Sequence, residues 1–127
     1  MLTKWNLGII MLSLGFNHLA AEPRLIELYT KKLDDNKTHW MPKEIKVKAG
    51  EKIKIVAKHE LDGGYDFHGL YVPELKISTE VHRHKPVTIE KDVPLDLDGK
   101  YKIQCHLHST HEPATLIVEG AKKKATN

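Results

Sequence analysis

The stretch MPKEIKVKAGEKIKIVAKHE, residues 41–60, alternates apolar and charged side chains on either side of a turn. Ile45 and Val47 alternate with Lys46 and Lys48. Ala49-Gly50 then reverses the chain, and Ile53 and Ile55 alternate with Lys52 and Lys54. A period of two is strand spacing, because successive side chains leave a strand on opposite faces, whereas a helix repeats every 3.6 residues. Two strands are therefore expected here, each with one wet face and one face that must be covered.

The same pattern continues on both sides. Upstream, Leu25 to Lys31 reads as a first strand, followed by the turn formers DDNKT at 34–38. Downstream, LDGGY is a turn, and DFHGLYVPEL is a strand on which His68, Leu70 and Val72 share one face. HKPVTIEK is a further strand and PLDLDG a loop. Tyr101, Ile103 and Cys105 share a face of the next strand, and ATLIVE closes the series. No segment holds a helical period over three turns. Seven or eight short strands separated by turns predict an all-β fold, an antiparallel Greek-key β-sandwich or barrel.

A chain of 127 residues fits one domain, and 40% apolar with 29% charged residues suits a globular protein. The net charge of +3 is small, and the lysines are spread along strands, not gathered with aromatics, so no nucleic-acid partner is expected. The N-terminus, MLTKWNLGIIMLSLGFNHLAA, has a lysine, an apolar run and then small residues, the order of a secretory signal peptide. The run is short for a bilayer span, so an uncleaved anchor is the lesser alternative and no stable membrane insertion is expected after cleavage. The expected organisation is a signal over 1–21, a domain over 22–120 and a basic polar tail, AKKKATN, over 121–127. Export to a bacterial periplasm follows, and that compartment is oxidising. Cys105 is the only cysteine, so it is buried, paired with another chain, or held by a ligand.

The stretch YKIQCHLHSTHEPATLIVE, residues 101–119, supplies the ligand reading. Cys105, His108 and His111 follow a C-x2-H-x2-H spacing in the loop before the last strand, and His68 lies on the inward face of a distant strand. At one end of a sandwich these groups can meet. One thiolate and two imidazoles in a roughly trigonal set, with a weaker fourth donor, suit copper, because sulfur stabilises Cu(I) and imidazole accepts both oxidation states. A closed, colourless zinc site of one cysteine and three histidines is the alternative. His106 should point away from the metal. His82 and His84 are spaced as a surface pair on a strand, and His39 and His59 belong to no pattern.

From about Trp40 to Glu119 the chain resembles a cupredoxin of the plastocyanin and azurin kind. PKEIKVKAGEKIKI resembles the family's second and third strands, DFHGLYVPELKI the segment with its first histidine ligand, and CHLHSTHEPATLIVE its ligand loop. The second segment is closest to the oxidase subunit II and nitrous-oxide-reductase branches. The resemblance implies His68, Cys105 and His108 as equatorial ligands of copper cycling between Cu(I) and Cu(II). With one cysteine where subunit II has two, one copper per chain is implied. The family's axial methionine is replaced here by His111, with Glu112 as an oxygen alternative, which resembles nitrosocyanin. By this resemblance the protein is a one-electron carrier working with a reductase, oxidase or cytochrome, with His108 as the exposed exit for the electron. The alternatives are a copper chaperone or store that supplies a copper-receiving enzyme, and a small red-copper-type enzyme with an open coordination position. An electron-transfer or copper-binding protein is expected ahead of an enzyme.

Overall fold

A computed structural model describes residues 22–121; the expected signal over 1–21 and all but the first residue of the expected tail lie outside the described residues. Ten strands follow one another: β1 (Arg24–Lys32), β2 (Thr38–Met41), β3 (Glu44–Lys48), β4 (Lys52–Lys58), β5 (Phe67–Val72), β6 (Ile77–His82), β7 (Val87–Asp92), β8 (Gly99–Ile103), β9 (His111–Glu112) and β10 (Ala114–Glu119). Eight of them are five residues or longer, which agrees with the seven or eight read from the sequence. The other two, β2 and β9, are too short to show a period. A single 3-10 turn, Pro73–Leu75, separates β5 from β6.

The strands form a sandwich whose sheets do not close into a barrel. One sheet runs β7-β4-β1-β2-β9 and the other β3-β10-β8, with β5 and β6 as a hairpin. The hairpin joins the second sheet where Tyr71 and Gln104 exchange both backbone hydrogen bonds, at 2.8 and 3.1 Å. Pairing is mixed rather than wholly antiparallel: β1 with β4, β3 with β10 and β2 with β9 run parallel. Each parallel pair brings together strands that crossover connections place side by side, and alternation along a strand carries no sign of its partner's direction.

The alternation of residues 41–60 is realised as burial. Ile45 and Val47 of β3 and Ile53, Ile55 and Ala57 of β4 face inward, while their lysine neighbours face out. Gly50, at the reversal, has φ +83 and receives the Leu95 side chain at 2.9 Å from where a Cβ would sit, so both its conformation and its space call for glycine. Leu28, Trp40, Leu70, Val72, Val81 and Val118 fill the space between the sheets at 2% exposure or less. One pole of this core is polar: His39, His59, His68 and His111 are all buried.

Candidate metal centre

His68 comes inward on β5, one residue after the strand begins, above Leu70 and Val72. Cys105 continues the inward face of β8 beyond Ile103 and is buried. His108 lies in the loop that follows, and His111 opens β9, where pairing with Thr38 of β2 fixes its backbone. The sandwich thus brings all four expected donors to one pole.

The donor atoms converge. Those of His68, Cys105 and His108 lie within 4.8 Å of one another. The Cys105 sulfur is 3.7 Å from His108 Nδ1, and His108 Nδ1 is 3.4 Å from His68 Nδ1. His111 joins from the side of His68, its Nδ1 2.9 Å from His68 Nδ1. Ligands on one ion, with metal–nitrogen bonds of about 2.0 Å and metal–sulfur bonds of about 2.3 Å, stand roughly 2.8–3.8 Å apart. The two separations within the trio fall in that interval, so His68, Cys105 and His108 fit a single metal ion; His111 stands beside His68 and outside the group of mutually close donors. The buried His111 Nε2, on the other side of the ring, has no hydrogen-bond partner among the described residues. The ring turns its other nitrogen to the cluster in preference to satisfying both.

Burial keeps these imidazoles neutral. Desolvation, helped by the neighbouring histidines, pulls His68 down to about 4 and His111 down to about 3. His108 is lowered too, first by burial and then by His59. At neutral pH the cluster therefore offers lone pairs, not protons, to a cation.

Backbone around the cluster is equally specific. The Gly69 amide donates to the Cys105 sulfur at 3.1 Å, and the Gly69 carbonyl accepts from the Trp40 indole N–H at 3.1 Å. A Cβ on Gly69 would sit 2.5 Å from His106 Nδ1 and 3.1 Å from the His106 amide, so a larger residue would have to displace the His106 ring and shift the ligand loop slightly.

Several expectations are settled by position. His106 is exposed and packs on Tyr71, away from the cluster. Glu112 points to Lys37, at 3.1 Å, and not to the donors, because it alternates with inward His111 on β9. His82 ends β6, but His84 lies past it with φ 60, so the two do not share a strand face. Each pairs separately, His82 with Glu80 at 2.9 Å and His84 with Glu60 at 2.8 Å. His108 is not bare either: the Tyr65 ring stacks on it with centroids 3.6 Å apart and planes 8° from parallel.

His59, which fits no ligand spacing, is buried beside the cluster, its ring edge-on to His68 at 4.5 Å. Its Nε2–H donates to the Tyr65 carbonyl at 2.9 Å, and its Nδ1 accepts from the Thr30 hydroxyl at 2.9 Å. The signal for it was the alternation itself: counting on from Ile53, Ile55 and Ala57 reaches His59 on the buried face. A cavity of about 370 Å³ opens beside His59, walled by Tyr65 and reaching His68 and His111 but not Cys105 or His108.

A family model described as a cupredoxin-like domain matches residues 7–118. The chain belongs to this family. Among solved structures, this cupredoxin is similar to a chain of a heme-copper terminal oxidase dimer, at 16% identity and TM-score 0.57, covering 90% of this chain and 95% of that one. It is similar to the metal-binding domain of the Cu(I)-exporting P-type ATPase CopA of Streptococcus pneumoniae, solved with Cu(I), at 13% identity and TM-score 0.59, covering 78% and 90%. It is also similar to auracyanin A, a "blue" copper protein from Chloroflexus aurantiacus, at 15% identity and TM-score 0.57, covering 77% and 100%. At such identities the likeness is one of fold. No curated protein sequence matches the chain.

Proposed function

We propose that this cupredoxin is an exported, periplasmic copper protein that carries single electrons through one ion held by His68, Cys105 and His108, with His111 as the fourth donor. The observation that carries the reading is the convergence of the Cys105 thiol with the His68 and His108 imidazoles within 4.8 Å at one pole of the sandwich, with His111 Nδ1 2.9 Å from His68 Nδ1. Copper bound there would supply one-electron chemistry between Cu(I) and Cu(II). The chain's own part is to hold the donors still. His68 and Cys105 sit on or against strands, the Gly69 amide orients the sulfur, and burial keeps the imidazoles free of protons. The export reading rests on residues 1–21, and likeness to an oxidase chain supports an oxidase, reductase or cytochrome as partner.

The test is spectroscopic. Add one equivalent of Cu(II) to the purified domain and record visible and EPR spectra of the wild type and Cys105→Ser. The expected result is a strong thiolate-to-copper charge-transfer band that disappears in the variant. A colourless protein that takes up zinc in preference would overturn the reading.

The cavity beside His68 and His111 favours a second reading, an enzyme with an open coordination position. Azide would then shift the charge-transfer band of the copper form, whereas a closed carrier site leaves it unmoved. Copper delivery to a larger enzyme is separated from both by rapid loss of the ion to a chelator.

A further inference from the structure

Tyr65 is half-exposed, yet its ring lies flat on His108. Its own loop does not explain this. Residues 61–66 include Gly63 and Gly64, both with positive φ, and a Cβ on either would touch nothing within 4 Å. Such a segment has no packing of its own to hold a ring in one place.

The restraint comes from Arg83, just beyond β6. Its Nε donates to the Leu61 carbonyl at 2.7 Å. Nη2 donates to the carbonyls of Gly63 at 2.8 Å and Tyr65 at 2.9 Å, and Nη1 donates to the Asp66 carboxylate at 2.6 Å. The Arg83 amide adds a bond to the Asp66 carbonyl at 2.8 Å. His59 donates to the same Tyr65 carbonyl and is itself held by Thr30. A carbonyl held by two donors fixes the Tyr65 backbone, and the ring it carries lies on His108. A planar guanidinium with five donors can bind a loop in this way, where a lysine ammonium cannot reproduce the fork.

We infer that Tyr65 is a positioning residue for His108: pinned by Arg83 and His59, its ring orients the His108 imidazole and closes that side of the cluster to solvent and chelators. The copper-dependent part rests on the function proposed above; the orientation of the imidazole in the metal-free protein does not.

Two measurements separate these parts. In the metal-free protein, NMR should show His108 ring protons shifted upfield by the stacked ring in the wild type and in Tyr65→Phe, and moved downfield in Tyr65→Ala. Arg83→Lys should move them the same way as Tyr65→Ala. In the copper form, EDTA should strip the ion from Tyr65→Ala roughly tenfold faster than from the wild type, the scale that contacts behind a ligand reach. The EPR signal should change with it, and Tyr65→Phe should match the wild type in both. Unmoved His108 protons and an unchanged EDTA rate in Tyr65→Ala would overturn the inference. Should no copper bind at all, the proposed function falls, and the NMR comparison still decides whether Tyr65 orients His108.

Discussion

The Gly69 amide points at the Cys105 sulfur, 3.1 Å away, from a strand 36 residues earlier in the chain. That contact sets the depth at which the ligand loop sits, because the His106 side chain and backbone occupy the space a Cβ on Gly69 would need. Gly69→Ala should therefore push the loop outward and destabilise the domain by about 1–3 kcal/mol, the usual cost of overpacking. Urea unfolding measures the loss. In the copper form, the thiolate band should shift as the N–H···S bond lengthens; an unchanged midpoint and band would show that the loop gives way freely.

The Thr30 hydroxyl is the only hydrogen-bond donor that meets His59 Nδ1 among the described residues. Thr30→Val keeps the shape of the side chain and leaves a buried nitrogen unpaired, which costs about 1–3 kcal/mol. Thr30→Ser should recover most of it. Thermal unfolding of the three proteins side by side checks the order wild type, Ser, Val.

Acid should weaken the metal-free protein before it titrates any ordinary carboxylate. His68 and His111 are held down to about 4 and about 3 in the fold, against 6.5 when exposed. As pH falls below 6.5 the unfolded chain takes up protons that the fold refuses, so stability drops, and it goes on dropping until the folded groups titrate near 4 and 3. The slope for the pair is roughly 2 kcal/mol per pH unit at its steepest. Melting temperature measured from pH 7 to pH 5 should fall, and His111→Leu should flatten the curve. A flat wild-type profile over that range would contradict the buried, neutral state of these rings.

His111 offers a nitrogen 2.9 Å from that of His68, and in the function proposed above it is the fourth donor in place of a thioether. Nitrogen binds Cu(II) more strongly than thioether sulfur does, so His111→Met should favour Cu(I) and raise the reduction potential. Cyclic voltammetry and the visible spectrum of the copper forms read both changes. Identical potentials would remove His111 from the fourth position.

Much of the site could be read along the chain. His68 falls on the apolar face by counting from Leu70 and Val72, and Cys105 by counting from Tyr101 and Ile103. Strand parity is local, so it survives without knowledge of the partner strands. The same count includes His59, which follows Ala57 on the inward face; a search for ligand spacing alone passes over it. His108 keeps partial exposure, but the ring stacked on it, Tyr65, comes from a loop 43 positions earlier, tied down by Arg83 from a third segment, and no local spacing records that contact.

Alternation along each strand, the glycine turns and the placing of one thiol among histidines were set by the order of residues, because each depends on near neighbours in the chain. Which strands run parallel, which imidazole nitrogens face the sulfur, and which ring lies over His108 were decided only when ten strands packed together. Those contacts join residues tens of positions apart, and no local period records them.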